Sequence, residues 1–135
     1  MTKAYRVLIV EDEVMLALEL EAELQALGVA VCGIASNIKD AVALVMTMKP
    51  NLVMMDVHLE GPQDGIDIAR WLREMYGLPI VFVTAYASDR SLLERIRHLV
   101  PNAPVLSKPL NRPYLARQSK IWGSASVRSR THPLT

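Results

Sequence analysis

The sequence predicts an α/β fold: a flavodoxin-like doubly wound (βα)5 unit with a five-stranded parallel sheet in the order 2-1-3-4-5, and three observations predict it. Apolar, β-branched runs recur at Tyr5 to Val10, Val29 to Ile34, Leu52 to Met55, Ile80 to Thr84 and Pro104 to Leu106, with starts about 22 to 28 residues apart. The runs are continuously apolar rather than alternating, as strands covered on both faces must be. Between them lie segments with helical spacing, which supply the crossovers that parallel strands require.

Taken in order, the first strand runs directly into Glu11, Asp12 and Glu13. The helix that follows sets Val14, Leu18 and Ala22 beside Leu16, Leu20, Leu24 and Leu27, with Glu19, Glu21 and Glu23 outward, and Gly28 ends it. After the second strand, Ser36 or Asn37 caps a helix through Met48 that Pro50 stops. The third strand ends at Asp56; Asp64, with Asp67 three residues on, caps a third helix through Tyr76, which Gly77 and Pro79 close. Thr84 ends the fourth strand, and Ser88 opens a helix up to Leu99. The fifth strand leads to Lys108-Pro109, and Asn111 with Pro113 opens a last helix whose apolar stripe, Tyr114, Leu115, Ile121 and Trp122, is interrupted by Gln118, Ser119 and Lys120.

Composition narrows the function classes. The 135 residues amount to about one domain, and 51% apolar with 21% charged residues fits a globule rather than a disordered chain. No apolar run approaches the roughly 18 residues of a spanning helix, and the N-terminus lacks a secretory h-region, so a cytoplasmic protein without membrane contact is expected. One cysteine, Cys32, cannot build a disulfide framework and reads as a small core residue. Residues 1–116, expected to be the domain proper, hold 11 Lys/Arg against 14 Asp/Glu. Residues 117–135 hold Arg117, Lys120, Arg128 and Arg130 and no acid, and read as the end of the last helix plus a flexible basic tail foreign to the body. The acidic body carries no stripe that would grip a phosphate backbone, so direct nucleic-acid binding is not expected.

In an open α/β sheet the ligand sits outside the carboxyl ends of the strands. Those ends carry Glu11, Asp12 and Glu13, then Asp56, Thr84 and Lys108. Strands one and three are neighbours in the expected order, so Glu11, Asp12 and Asp56 converge. Three carboxylates in one cleft repel one another unless a cation neutralises them, and a hard divalent ion such as Mg²⁺ takes oxygen ligands while leaving room for a phosphoryl oxygen. Lys108 adds positive charge from the opposite side. A carboxylate nucleophile, a metal and a lysine are the parts that phosphoryl transfer to an aspartate needs. Asp56 follows the very apolar Leu52-Val53-Met54-Met55 and is the nucleophile of choice, whereas Glu13 reads better as a helix N-terminal charge.

From Arg6 to about Leu115 the chain resembles the receiver domain of two-component response regulators, of the stand-alone type. The resemblance rests on Val-Glu-Asp-Glu at 10 to 13, Met-Asp-Val-His-Leu at 55 to 59, Asp64-Gly65, Val-Thr-Ala at 83 to 85 and Lys108-Pro109. It implies that Asp56 is the phosphoacceptor and that Mg²⁺ is held by Glu11, Asp12, Asp56 and the backbone carbonyl of His58. It further implies that Thr84 is the switch hydroxyl, that Lys108 is the phosphate partner, and that a cis bond precedes Pro109. Implied partners are a sensor histidine kinase or phosphotransfer protein, a downstream protein target, and a second copy across the face of helix four, strand five and helix five.

Two departures bear on mechanism. Val105 stands three before Lys108, where many receivers keep an aromatic that turns inward, and Tyr86, two after Thr84, is the candidate to replace it. The loop from Asp56 to Gly65, with Gly61-Pro62, is one residue longer than in chemotaxis-type receivers and bears on docking of the phosphodonor. The reading is a phosphorylation switch rather than an enzyme. Its first alternative is a degenerate receiver that binds partners without phosphorylation. A second is an aspartyl-phosphate phosphatase, against which stands His58 where such enzymes carry a second acid. A flavin carrier fails because Glu11-Asp12-Glu13 would repel its phosphate.

Overall fold

The computed structural model describes residues 4–61, 63–119 and 122. Its elements are β1 (Arg6–Val10), α1 (Val14–Ala26), β2 (Ala30–Ala35), α2 (Ile38–Met48), β3 (Leu52–Asp56), α3 (Gly65–Tyr76), β4 (Ile80–Thr84), α4 (Arg90–Leu99) and β5 (Val105–Ser107). A fifth helix, α5, occupies residues 112–119, and Trp122 is also helical. The five strands form one sheet in the order β2-β1-β3-β4-β5, parallel throughout, as expected for a doubly wound unit of five βα repeats.

Every residue of β3 and of β4 is buried, which explains why their sequences carry no alternation. Successive side chains instead alternate between two apolar layers of equal standing. Leu8, Val53, Met55, Ile80 and Phe82 meet Ala41 and Val45 of α2, Ile66, Ala69 and Leu72 of α3, and Ile96 of α4. Val7, Ile9, Leu52, Met54, Val81 and Leu106 meet Ala17, Leu20 and Leu24 of α1, with Leu115 and Trp122. Trp122 is fully buried and stacks edge-on against Tyr5, ring centroids 5.6 Å apart. No helix among the described residues is long and apolar enough to cross a membrane.

Helix ends follow the capping chemistry with one correction. Asn37 and Asp64 accept the backbone N–H of Asp40 and Asp67, and Asn111 that of Tyr114. Helix α4, however, begins one residue later than Ser88 suggests, because Asp89 is the cap and accepts from Leu92 N–H. A second correction concerns α1. The residues it buries are Ala17, Leu20 and Leu24, while Val14, Met15 and Leu18 face outward. Apolar residues stand on the outward side too, Ala22 among them, and Glu21 and Glu23, expected outward, are half-buried, so the sequence pattern alone does not single out the inward face. Pro62, Lys120, Ile121 and residues 123–135, with Arg128 and Arg130, lie outside the described residues.

Candidate functional site

The site is assembled by backbone register. Asp56 pairs with Val83, so Thr84 lies one residue beyond it on the neighbouring strand. Thr84 in turn pairs with Ser107, and its carbonyl accepts the N–H of Lys108 at 2.9 Å, which brings the lysine back over the sheet end. On the other side the N–H of Glu11 bonds to Ala35 at 2.9 Å, continuing the β1 ladder one step into the acidic turn. The Lys108-Pro109 peptide bond is cis.

These placements bring Glu11, Asp12, Asp56 and Lys108 together. One carboxylate oxygen from each of Glu11, Asp12 and Asp56 lies within 4.8 Å of the other two. Lys108 Nζ donates to Glu11 Oε1 at 3.1 Å and to Asp56 Oδ1 at 3.4 Å. Asp56 is only 4% exposed. Burial, and then the hydrogen bond and charge of Glu11, push its carboxyl up to about 7, against the opposing pull of Lys108 and of the His58 N–H. For Lys108 burial works against the charged form, but the carboxylates of Asp56 and Glu11 outweigh it and raise the ammonium above its usual value. The cluster is thus an acid-rich pocket with one cation for three carboxylates, and its oxygen donor set suits a hard divalent ion.

The remaining predicted residues form a second tier. Thr84 is fully buried, and its hydroxyl oxygen accepts the N–H of Tyr86 at 3.0 Å. The His58 N–H donates to Asp56 Oδ1 at 3.3 Å, while its ring lies exposed, edge-on to Tyr86 with centroids 5.1 Å apart. The His58–Tyr86 pair therefore joins the loops that follow β3 and β4 above the pocket. Val105 is half-buried, pairs with Phe82 and packs on the α3 and α4 side of the sheet. Sequence reasoning missed three contacts. The Glu60 N–H donates to Asp12 Oδ2 at 2.8 Å, folding the β3–α3 loop over the acids. Gly65 lies so close to Asp56 that a Cβ there would meet the Asp56 carbonyl oxygen at 1.8 Å. Arg95 of α4 grips Asp64 and Asp67. The first is a backbone contact with no side-chain signature; the Asp64-Gly65 pair is the signal that points to the second.

A cavity of about 670 Å³ opens beside the acids, between α1 and residues 108–111, with Ile9, Leu20, Met54 and Leu110 in its apolar wall.

Comparison with known proteins is consistent with this geometry. Phyllosphere-induced regulator PhyR of Methylorubrum extorquens is 36% identical over 84 residues, covering 62% of this chain and 32% of its own length. Transcriptional regulatory protein PdtaR of Mycobacterium tuberculosis is 41% identical over 92 residues, 68% of this chain and 44% of its own. The chain therefore spans less than half of the length of the curated relatives it matches. Among solved structures, the signal receiver domain of a modulated diguanylate cyclase from Desulfovibrio desulfuricans superposes with a TM-score of 0.79 at 29% identity, covering 97% of this chain and all of that one. The response regulator receiver domain profile matches residues 7–118, and the chain belongs to that family.

Proposed function

We propose that Asp56 accepts a phosphoryl group from a histidine kinase or phosphotransfer protein and that the modified domain changes its affinity for a downstream protein. The observation that carries this reading is the cluster of Glu11, Asp12 and Asp56 around Lys108 Nζ at the carboxyl ends of β1, β3 and β5. In the transfer, a carboxylate oxygen of Asp56 forms the new bond to phosphorus as the phosphorus–nitrogen bond to the donor histidine breaks. Lys108 neutralises charge on the moving group. Glu11, Asp12, Asp56 and the His58 carbonyl would hold Mg²⁺, which supplies charge neutralisation and keeps Asp56 ionised at neutral pH.

The added charge of about −1.5 to −2 then draws the Thr84 hydroxyl and Lys108 inward and biases the loops after β3 and β4. Tyr86, whose N–H is already bonded to Thr84, is the side chain placed to move with it where Val105 stands in place of the usual aromatic. Exposed Val14, Met15 and Leu18 follow the acidic turn directly. They offer the phosphodonor an apolar seat within reach of Asp56. That the two curated relatives described above are named as regulators supports a regulatory output.

The test is intact mass after incubation with Mg²⁺ and acetyl phosphate, beside Asp56→Asn. A gain of one phosphoryl group in the parent only, abolished by chelator, is the expected result. No gain at any donor concentration would overturn the assignment and leave a binding module that works without phosphorylation.

A further inference from the structure

Helices α3 and α4 are joined across their solvent sides by one guanidinium. Arg95 Nη1 donates to Asp64 Oδ2 at 2.6 Å, and Nη2 reaches Asp64 Oδ1 at 3.4 Å and Asp67 Oδ1 at 3.2 Å. Isolated exposed ion pairs contribute little, but a two-pronged grip on one carboxylate, shared with a second, is the geometry in which they do contribute. The gripped carboxylate is not an ordinary surface acid. Asp64 is the cap of α3, and its Oδ1 also accepts the Asp67 N–H at 3.0 Å.

Asp64 is followed at once by Gly65, and there the helix is wedged against the reacting strand end. The Gly65 N–H donates to Val57 at 2.9 Å, and the 1.8 Å approach of an added Cβ to the Asp56 carbonyl shows that no slack exists between them. A shift of the Asp56 backbone is therefore a shift of the first turn of α3. The other end of the pair is tied as well, by Arg73 Nη1 donating to the Pro101 carbonyl just beyond α4 at 2.7 Å.

We propose that Arg95 is the positioning residue that couples α4 to the state of Asp56, through Gly65 and Asp64, by a route separate from the Thr84 and Tyr86 loop. The proposal takes Asp56 as the reacting carboxylate but concerns how its surroundings are held. Coupling is reciprocal, so a partner that binds α4 and displaces Arg95 alters the site in turn.

The test is a cycle of four proteins, the parent, Asp56→Asn, Arg95→Gln and the double variant, read by amide hydrogen exchange across residues 90–99. Asp56→Asn removes the site charge without any need for phosphorylation. It is expected to change exchange in α4 by about threefold or more in the parent background and by less than about 1.5-fold once Arg95 is Gln. Arg95→Lys keeps the charge without the planar fork and is expected to retain less than half of the coupling. If Arg95→Gln fails to fold, Asp67→Asn removes one prong, leaves the Asp64 cap intact, and is expected to weaken the coupling. An undiminished effect of Asp56→Asn with Gln at 95, or no effect on α4 in the parent background, would overturn the proposal. Acetyl phosphate uptake by the parent and Arg95→Gln proteins is measured in parallel. Absence of uptake in both would sink the phosphoacceptor assignment while the four-protein cycle still decides the role of Arg95.

Discussion

Replacing Asp56 with Asn should stabilise the protein, and by an amount that grows with pH. The Asp56 carboxyl rises from 3.8 to about 7 on folding, chiefly through burial and the adjacent Glu11. An acid whose pKa is raised in the folded state keeps its full stability contribution only below the unfolded value, and loses it as pH climbs toward the folded one. A rise of this size corresponds to a loss on the order of 4 kcal/mol by pH 8, less than half of it already lost at pH 5. Asn preserves the shape and does not titrate. It gives up the 3.4 Å contact with Lys108 as an ion pair, but Lys108 keeps Glu11 at 3.1 Å. The advantage of Asn over Asp should therefore widen by on the order of 2–3 kcal/mol between pH 5 and pH 8, a difference of about 1–2 M in urea midpoint for a domain of this size. The assay is urea unfolding of both proteins at the two pH values with chelator present, so that no divalent cation offsets the repulsion. A pH-independent difference, or a less stable Asn variant at pH 8, would refute the reasoning that burial and Glu11 hold Asp56 under strain.

Two further substitutions test how the site is framed. Gly65→Ala places a methyl group against the Asp56 carbonyl oxygen and must push the start of α3 away; a loss of about 3 kcal/mol in urea unfolding is expected, with reduced acetyl phosphate uptake in whatever fraction remains folded. Trp122→Ala empties a fully buried site against Tyr5 and should cost about 3–5 kcal/mol in the same measurement, which would place the stability boundary of the domain beyond residue 116.

The parallel sheet was legible because continuously apolar runs separated by helical segments require crossovers, and the strand order, with the convergence of the acids, followed from the usual doubly wound solution for five such units. Asp56 and Thr84 lie at strand ends, and Lys108 one residue past one, where a one-residue error in register would separate them. The facing of α1 was not legible, since Val14, Met15 and Leu18 are as apolar as the residues the helix buries. Only the position of the sheet decides which side is inward. The start of α4 was ambiguous for a related reason. Ser88 and Asp89 are both good caps, and the choice turns on the Asp89 N–H bonding back to Tyr86 at 3.0 Å, a turn that no local pattern announces. The grip of Arg95 on Asp64 joins residues 31 apart on two helices and was beyond any local reading.

The same arrangement that destabilises the fold is what makes the site responsive. With its carboxyl near 7, Asp56 is a poor nucleophile when protonated and a source of repulsion when ionised, so the pocket alone satisfies neither state at neutral pH. A bound cation relieves the repulsion and favours the ionised form, so its affinity must rise with pH over the range in which the fold weakens. These are one linkage seen from two sides. The pocket also has little means of relaxing on its own. Lys108 already serves Glu11 and Asp56, Asp12 is held by the Glu60 N–H, and Gly65 leaves the Asp56 backbone no room to retreat. Charge added at Asp56 is therefore expected to be answered by movement in the loops and helices anchored to it, and those anchors lead from Thr84 to Tyr86 in the loop ahead of α4 and from Gly65 and Asp64 to Arg95 on α4.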